Sequence, residues 1–171
     1  MEVLLALVIS AAIVVPLLAW MVLGYQQQAT ITVQSHDDNA ANQLSIELPR
    51  DVASSAVVAT AGTDCVAGTT VVLQLQRAAG ATRRVVYAVS ESTVGGRALG
   101  TLTRRVCDGS TPGGATEISD ELTRPPGGWA DLVRCSPAVG QPDACRSVTV
   151  ELTGPRGRPM AVTGTRRLGA P

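Results

Sequence analysis

The sequence predicts an α+β chain: a long N-terminal helix, a membrane half followed by an amphipathic half, packed on an antiparallel β-meander. Three observations predict it. An apolar run begins at Val3 and ends at Leu23 with no charge inside it. Beyond it, Ile31, Ala41, Leu44, Leu48 and Val52 recur at mixed multiples of three and four, which lines one side of a helix. From Thr69 the period changes to two, the repeat of a half-buried strand. The boundaries read as 1–24 for the apolar helix, 25–60 for the amphipathic helix entering the globular part, and 61–171 for the sheet domain.

At ~1.5 Å per residue, about 20 apolar residues cover roughly 30 Å of hydrocarbon, so the first segment reads as a transmembrane helix. That places the chain in a membrane as a single-pass protein with its globular domain extracytoplasmic. A cleaved secretory signal has a basic start and an apolar stretch of about 7–15 residues. Here no basic residue precedes Arg50, and the run is longer. A plain signal anchor fits the length but lacks the flanking Lys or Arg that orients one. Glu2 remains to be explained, because a carboxylate beside an apolar span is costly. Pro16 lies inside the span and predicts a kink there.

The first ten residues, Met1-Glu2-Val3-Leu4-Leu5-Ala6-Leu7-Val8-Ile9-Ser10, resemble the prepilin-type N-terminal methylation motif of type IV pilins and pseudopilins. The processing-site glycine of that family would lie before Met1. The resemblance implies a pilin-like fold and maps the family's glutamate onto Glu2. There it would pair with the N-terminal amine of a neighbouring subunit during filament assembly. A carboxylate entering an apolar bundle must find a positive partner or take up a proton, and either demand sets axial register between subunits.

After Gly24 the chain turns polar, and Tyr25 would sit near a membrane interface. The β-branched stretch at residues 30–33 weakens the middle of the predicted helix. Pro49 predicts a kink or restart before Arg50-Asp51. Residues 43–56, with Leu48, Arg50, Asp51 and Ala56, are similar to a helix of minor pilins and pseudopilins of the PilW/PulJ kind. Taken alone, an exposed Arg–Asp pair is worth about 0–1 kcal/mol.

The strands follow in order. Thr70 to Gln76 alternates well at its end; residues 83–90 and 98–106 follow, with Gly80 and Gly95-Gly96 as turns. The segments Arg84-Val85-Val86-Tyr87-Ala88-Val89 and Leu102-Thr103-Arg104-Arg105-Val106-Cys107 are similar to paired strands of the same family. Tyr87 reads as a core or sheet-face residue. Residues 108–115 and 125–128, rich in Gly, Pro, Ser and Thr, read as loops. Short strands are predicted at 129–134, 147–152 and 160–165, with a turn at 154–157 and a solvated Arg166-Arg167 end.

Four cysteines, Cys65, Cys107, Cys135 and Cys145, lie in the polar part. Their spacings are too wide for a zinc site, and the single histidine, His36, is distant in sequence. An even number in an extracytoplasmic domain reads as disulfides. Cys135 and Cys145 enclose a short proline-bearing loop. Cys65 precedes the first strand and Cys107 ends the third, at one end of a meander. Cys65–Cys107 with Cys135–Cys145 is the provisional pairing among three possible connectivities.

Net charge is zero, with 14 basic and 14 acidic residues, so no whole-molecule field favours nucleic acid. Every basic residue is arginine, and phenylalanine is absent. This is the bias of a GC-rich genome and gives single arginines little weight. No G-x-S-x-G, H-E-x-x-H or Walker pattern appears, so no enzyme, cofactor or metal site is expected. Arg83-Arg84 and Arg104-Arg105 would make one basic patch if their strands lie side by side, a surface suited to DNA.

The expected function is that of a minor pilin or pseudopilin subunit, held in the membrane by its N-terminal helix and assembled into a type IV pilus-like filament. The expected partners are other pilin or pseudopilin subunits, membrane lipid and the pilus assembly machinery. The rival readings are a membrane-anchored extracellular binding domain and a pseudopilin of a DNA-uptake or secretion system.

Overall fold

A computed structural model describes residues 2–77, 81–138, 141–154 and 157–167, and the side chains of 2–12, 26, 28–37, 138 and 141–144 are not among those described. The Glu2 and His36 side chains and Gly80 therefore lie outside the described residues. Helix α1 is assigned to Glu2–Ala53 and runs through both Pro16 and Pro49, so neither proline restarts it. The chain divides into two compact units, Met1–Asp38 and Asn39–Pro171.

The second unit is built from antiparallel strands. Strands β1 (Val57–Ala59), β2 (Thr70–Gln76), β3 (Arg83–Val94), β4 (Arg97–Asp108) and β5 (Thr111–Thr123) form one sheet in sequence order. Strands β6 (Val133–Ala138), β7 (Gln141–Thr153) and β8 (Pro159–Thr165) form a second sheet. The β3–β4 hairpin closes on Gly95-Gly96, with φ of 58° and 78°, the left-handed pair that a two-residue type I′ turn requires.

One core joins these elements. Leu44, Leu48 and Val52 of α1 are fully buried against Leu73, Tyr87, Val89 and Leu102 of the first sheet. Val148, Val150 and Leu152 of the second sheet complete the same cluster. The four-residue spacing of the α1 positions brings them onto one helix face, which is why this stretch packs rather than dissolves. A smaller cluster of Val86, Ala88 and Cys107 occupies the other face of β3 and β4, as the period-two alternation demands.

The α+β, pilin-like class with one meander is corrected by these findings. The described chain is mostly antiparallel β, divided between two sheets. Only the end of α1, from Asn39, belongs to the sheet-bearing unit. The physical reason lies after β5. The Pro125-Pro126-Gly127-Gly128 stretch breaks strand geometry, and a 3₁₀ turn at Trp129–Leu132 buries Trp129 and Leu132 instead of continuing the sheet. The long β7 then pairs with β6 and β8, which leaves β5 as an edge.

The membrane placement is corrected as well. Among the described residues no helix is long and apolar enough to cross a membrane. The single-pass localisation and the transmembrane reading of residues 3–23 are replaced by that observation. Two smaller corrections concern local elements. Residues 111–115 are strand rather than loop, and the strand expected at 129–134 begins only at Val133.

Candidate functional site

A connected polar group lies where α1 meets the first sheet. Asp51 falls one residue before Val52 and three after Leu48, so its carboxylate enters on the buried face of the helix. Tyr87 and Arg104 are directly opposite one another on β3 and β4, facing the same helix. Arg104 Nε donates to Asp51 Oδ2 at 2.6 Å and Nη2 donates to Oδ1 at 2.9 Å. The Tyr87 hydroxyl donates to Oδ2 at 2.9 Å. Glu47, one turn earlier on α1, lies 3.4 Å from Arg104 Nε.

Each member tunes the others. The Asp51 hydrogen bonds hold the Arg104 guanidinium far above its usual range, against the opposing effect of burial. Burial, together with the adjacent Asp51 charge, pushes the Tyr87 phenol well above its ordinary value. At neutral pH the Arg104 guanidinium therefore keeps its charge and the Tyr87 phenol its proton, and together they brace Asp51 as a clamp between α1 and the sheet.

A cavity of about 90 Å³ opens beside this clamp, at the end of α1. Its apolar lining comes from Leu75, Val85 and Val106. Its polar lining comes from Ser54 and Ser55 and from the arginines at 77, 83, 84 and 104. Asp51 is the single acid in that lining. The backbone N–H of Ala56 donates to the Gln76 carbonyl at 2.8 Å, which ties the chain after the helix to β2.

A second polar hub brings residues 63–69 to the opposite face of the sheet. Asp64 accepts from the Cys65 backbone N–H at 2.7 Å, from the Thr69 hydroxyl at 2.6 Å and from Arg105 Nη1 at 2.5 Å. A disulfide joins Cys65 to Cys107, with Cα atoms 5.9 Å apart, and another joins Cys135 to Cys145, 5.5 Å apart. Asp64, Cys65 and Cys107 are close enough to suggest a metal site. Their chemistry argues otherwise, since both sulfurs are consumed in the disulfide and the carboxylate is held by Arg105.

The arginines singled out in the sequence are thus separated by the strand alternation. Arg104 faces α1 and is held by Asp51, whereas Arg105 faces the disulfide and is held by Asp64. Arg83 is exposed, and Arg84 donates from Nη2 to the Thr63 carbonyl at 3.3 Å. Asp51 pairs with Arg104 across the tertiary structure rather than with its neighbour Arg50, which is exposed. The sequence carried one signal for this: an acid at a buried-face position next to Leu48 and Val52 demands a cation from the facing element. Arg77, Ser54 and Ser55 carried no comparable signal.

The other feature is apolar. On α1, residues 13–25 are all exposed, apart from Gly24 mostly large or medium hydrophobics, with Trp20 79% accessible. No protein-family model, curated protein or solved structure matches the chain.

Proposed function

We propose that this chain is a structural subunit, of the minor-pilin or pseudopilin type, that assembles with other subunits into a filament through its N-terminal helix. The observation that carries this reading is the belt of exposed apolar side chains on α1, including Val14, Leu18, Trp20 and Met21. A helix that is apolar on every side needs cover all round. Burying each such side chain gains about 1.5–3 kcal/mol, so several helices packed side by side would hold strongly. The resemblance of residues 1–10 to prepilin N termini supports the same reading.

The test is the assembly state of the full chain. Sedimentation and negative-stain microscopy should show polymers for the wild type and monomers for the Val14→Asp/Leu18→Asp variant, which adds charge to one side of the helix. Glu2→Ala should slow assembly if the carboxylate sets register. A wild-type chain that stays monomeric at micromolar concentration, or a doubly charged variant that polymerises as well as the wild type, overturns the reading.

A further inference from the structure

We propose that the cavity at the end of α1 is a binding site for a small oxyanion, phosphate-like or carboxylate-like. The proposal is independent of filament assembly and rests on how charge is distributed around the cavity. Four arginines line it against one aspartate, and that aspartate is already engaged at both oxygens. Arg104 is consumed by the clamp. Arg77 and Arg83 have no hydrogen-bond or ion-pair partner among the described residues, and Asp108, opposite Arg83 in the β3–β4 register, forms no ion pair with it. The β2–β3 register pairs Gln76 with Arg84, which brings Arg77 next to Arg83 at the end of the hairpin.

The helix end would ordinarily oppose an anion, because the last carbonyls carry partial negative charge. Here three of those carbonyls, at Arg50, Asp51 and Val52, are occupied. The Ser54 backbone N–H donates to the Arg50 carbonyl, and the Ser54 hydroxyl donates to the Asp51 carbonyl. The Ser55 backbone N–H and hydroxyl both donate to the Val52 carbonyl. The serines thereby remove the acceptors that would compete for the arginines. Of the four arginines, Arg84 turns its side chain to the other face of β3, toward Thr63, which leaves Arg77 and Arg83 as the cations open to a ligand.

Size selects the ligand. A single water needs about 10–15 Å³ of such space, so a cavity of about 90 Å³ has room for one compact oxyanion group. Guanidinium forks match two oxygens of a phosphate or a carboxylate, which is the shared chemistry of both ligand sources.

Calorimetric titration of the full chain with inorganic phosphate, and separately with acetate, tests the site against sodium chloride at equal ionic strength. At least one of the two oxyanions should bind saturably where chloride does not, and the tighter of the two identifies the source. The Arg77→Gln/Arg83→Gln variant should lose tenfold or more in affinity with unchanged circular dichroism and melting temperature. The control Arg134→Gln should bind as the wild type does, since Arg134 pairs with Glu151 on the other sheet. Failure of both oxyanions to bind, or equal binding by the Arg77/Arg83 variant, overturns the site.

Discussion

Asp51 and Arg104, far apart in sequence, form a two-pronged ion pair at 2.6 and 2.9 Å, with the side chains 8% and 18% accessible. The pair fixes the end of α1 over the middle of β4, and Tyr87 binds one of the same carboxylate oxygens.

Removing Asp51 strands two donors at once. Asp51→Ala should cost about 3 kcal/mol of folding stability, as expected for breaking a largely buried pair at one partner. Tyr87→Phe, which deletes only a hydroxyl, should cost about 1 kcal/mol. The two changes share one carboxylate, so their effects in the double variant should sum to more than the double variant loses. Urea denaturation of the three variants measures this directly.

Alkaline pH should weaken the fold through the same cluster. The Tyr87 phenol has its folded pKa raised above the ordinary value of 10.0, chiefly by burial. Below pH ~10 both folded and unfolded chains keep the phenolic proton, so the stabilisation is fully present. Above it the unfolded chain releases the proton while the folded chain retains it. Stability then falls with rising pH, by a contribution approaching about 1.4 kcal/mol per pH unit. Arg104 acts with the same sign at still higher pH. Tyr87→Phe should flatten the dependence between about pH 10 and 11.5 in rapid urea titrations.

The two disulfides should differ in both accessibility and effect. Cys107 is fully buried, whereas Cys135 is exposed, so mild reductant should open Cys135–Cys145 first. The sequence separations of 42 and 10 imply chain-entropy contributions of about 4 and about 2.7 kcal/mol respectively. Melting of Cys107→Ser/Cys65→Ser against Cys135→Ser/Cys145→Ser should show the larger loss for the first pair.

Gly100 is required by Trp129. A Cβ at that position would lie 2.7 Å from Cζ2 and 2.9 Å from Cζ3 of the indole. The indole Nε1 is meanwhile held by the Glu91 carboxylate, which also pairs with Arg124. Gly100→Ala should displace the ring and cost about 1–3 kcal/mol. Tryptophan fluorescence should shift red as Trp129 gains solvent.

Glu121 sits at φ 52° in β5, where the register skips between the Gly100–Leu122 and Leu102–Ser119 pairs. A left-handed conformation costs a side-chain-bearing residue about 1–2 kcal/mol. Glu121→Gly should therefore be neutral or raise the melting temperature, in contrast to the loss that glycine causes elsewhere in a strand.

Much of the strand architecture was legible because the burial period matches the residue pattern. β2, β3 and β4 carry Val, Leu and Tyr on a two-residue period, and both faces of β3 and β4 find apolar partners. β5 was not legible. Its first half, Thr111-Pro112-Gly113-Gly114-Ala115, is exposed and has no apolar alternation, and it is strand because β4 supplies backbone partners. The 3₁₀ turn was hidden for a similar reason: Trp129 and Leu132, spaced three apart, fit one turn of helix or a ragged strand equally well.

By itself the sequence determined the apolar belt of α1, the buried stripe through Leu44, Leu48 and Val52, and the strands that alternate. Each of these is set by side-chain periodicity, which is local information. Only the tertiary structure decided that the strands divide into two sheets, that Asp51 takes Arg104 instead of Arg50, and that Arg77 and Arg83 share a cavity. Those outcomes depend on which distant backbone closes against which, and on a buried carboxylate needing a cation from the element it faces. No spacing along the chain encodes that choice.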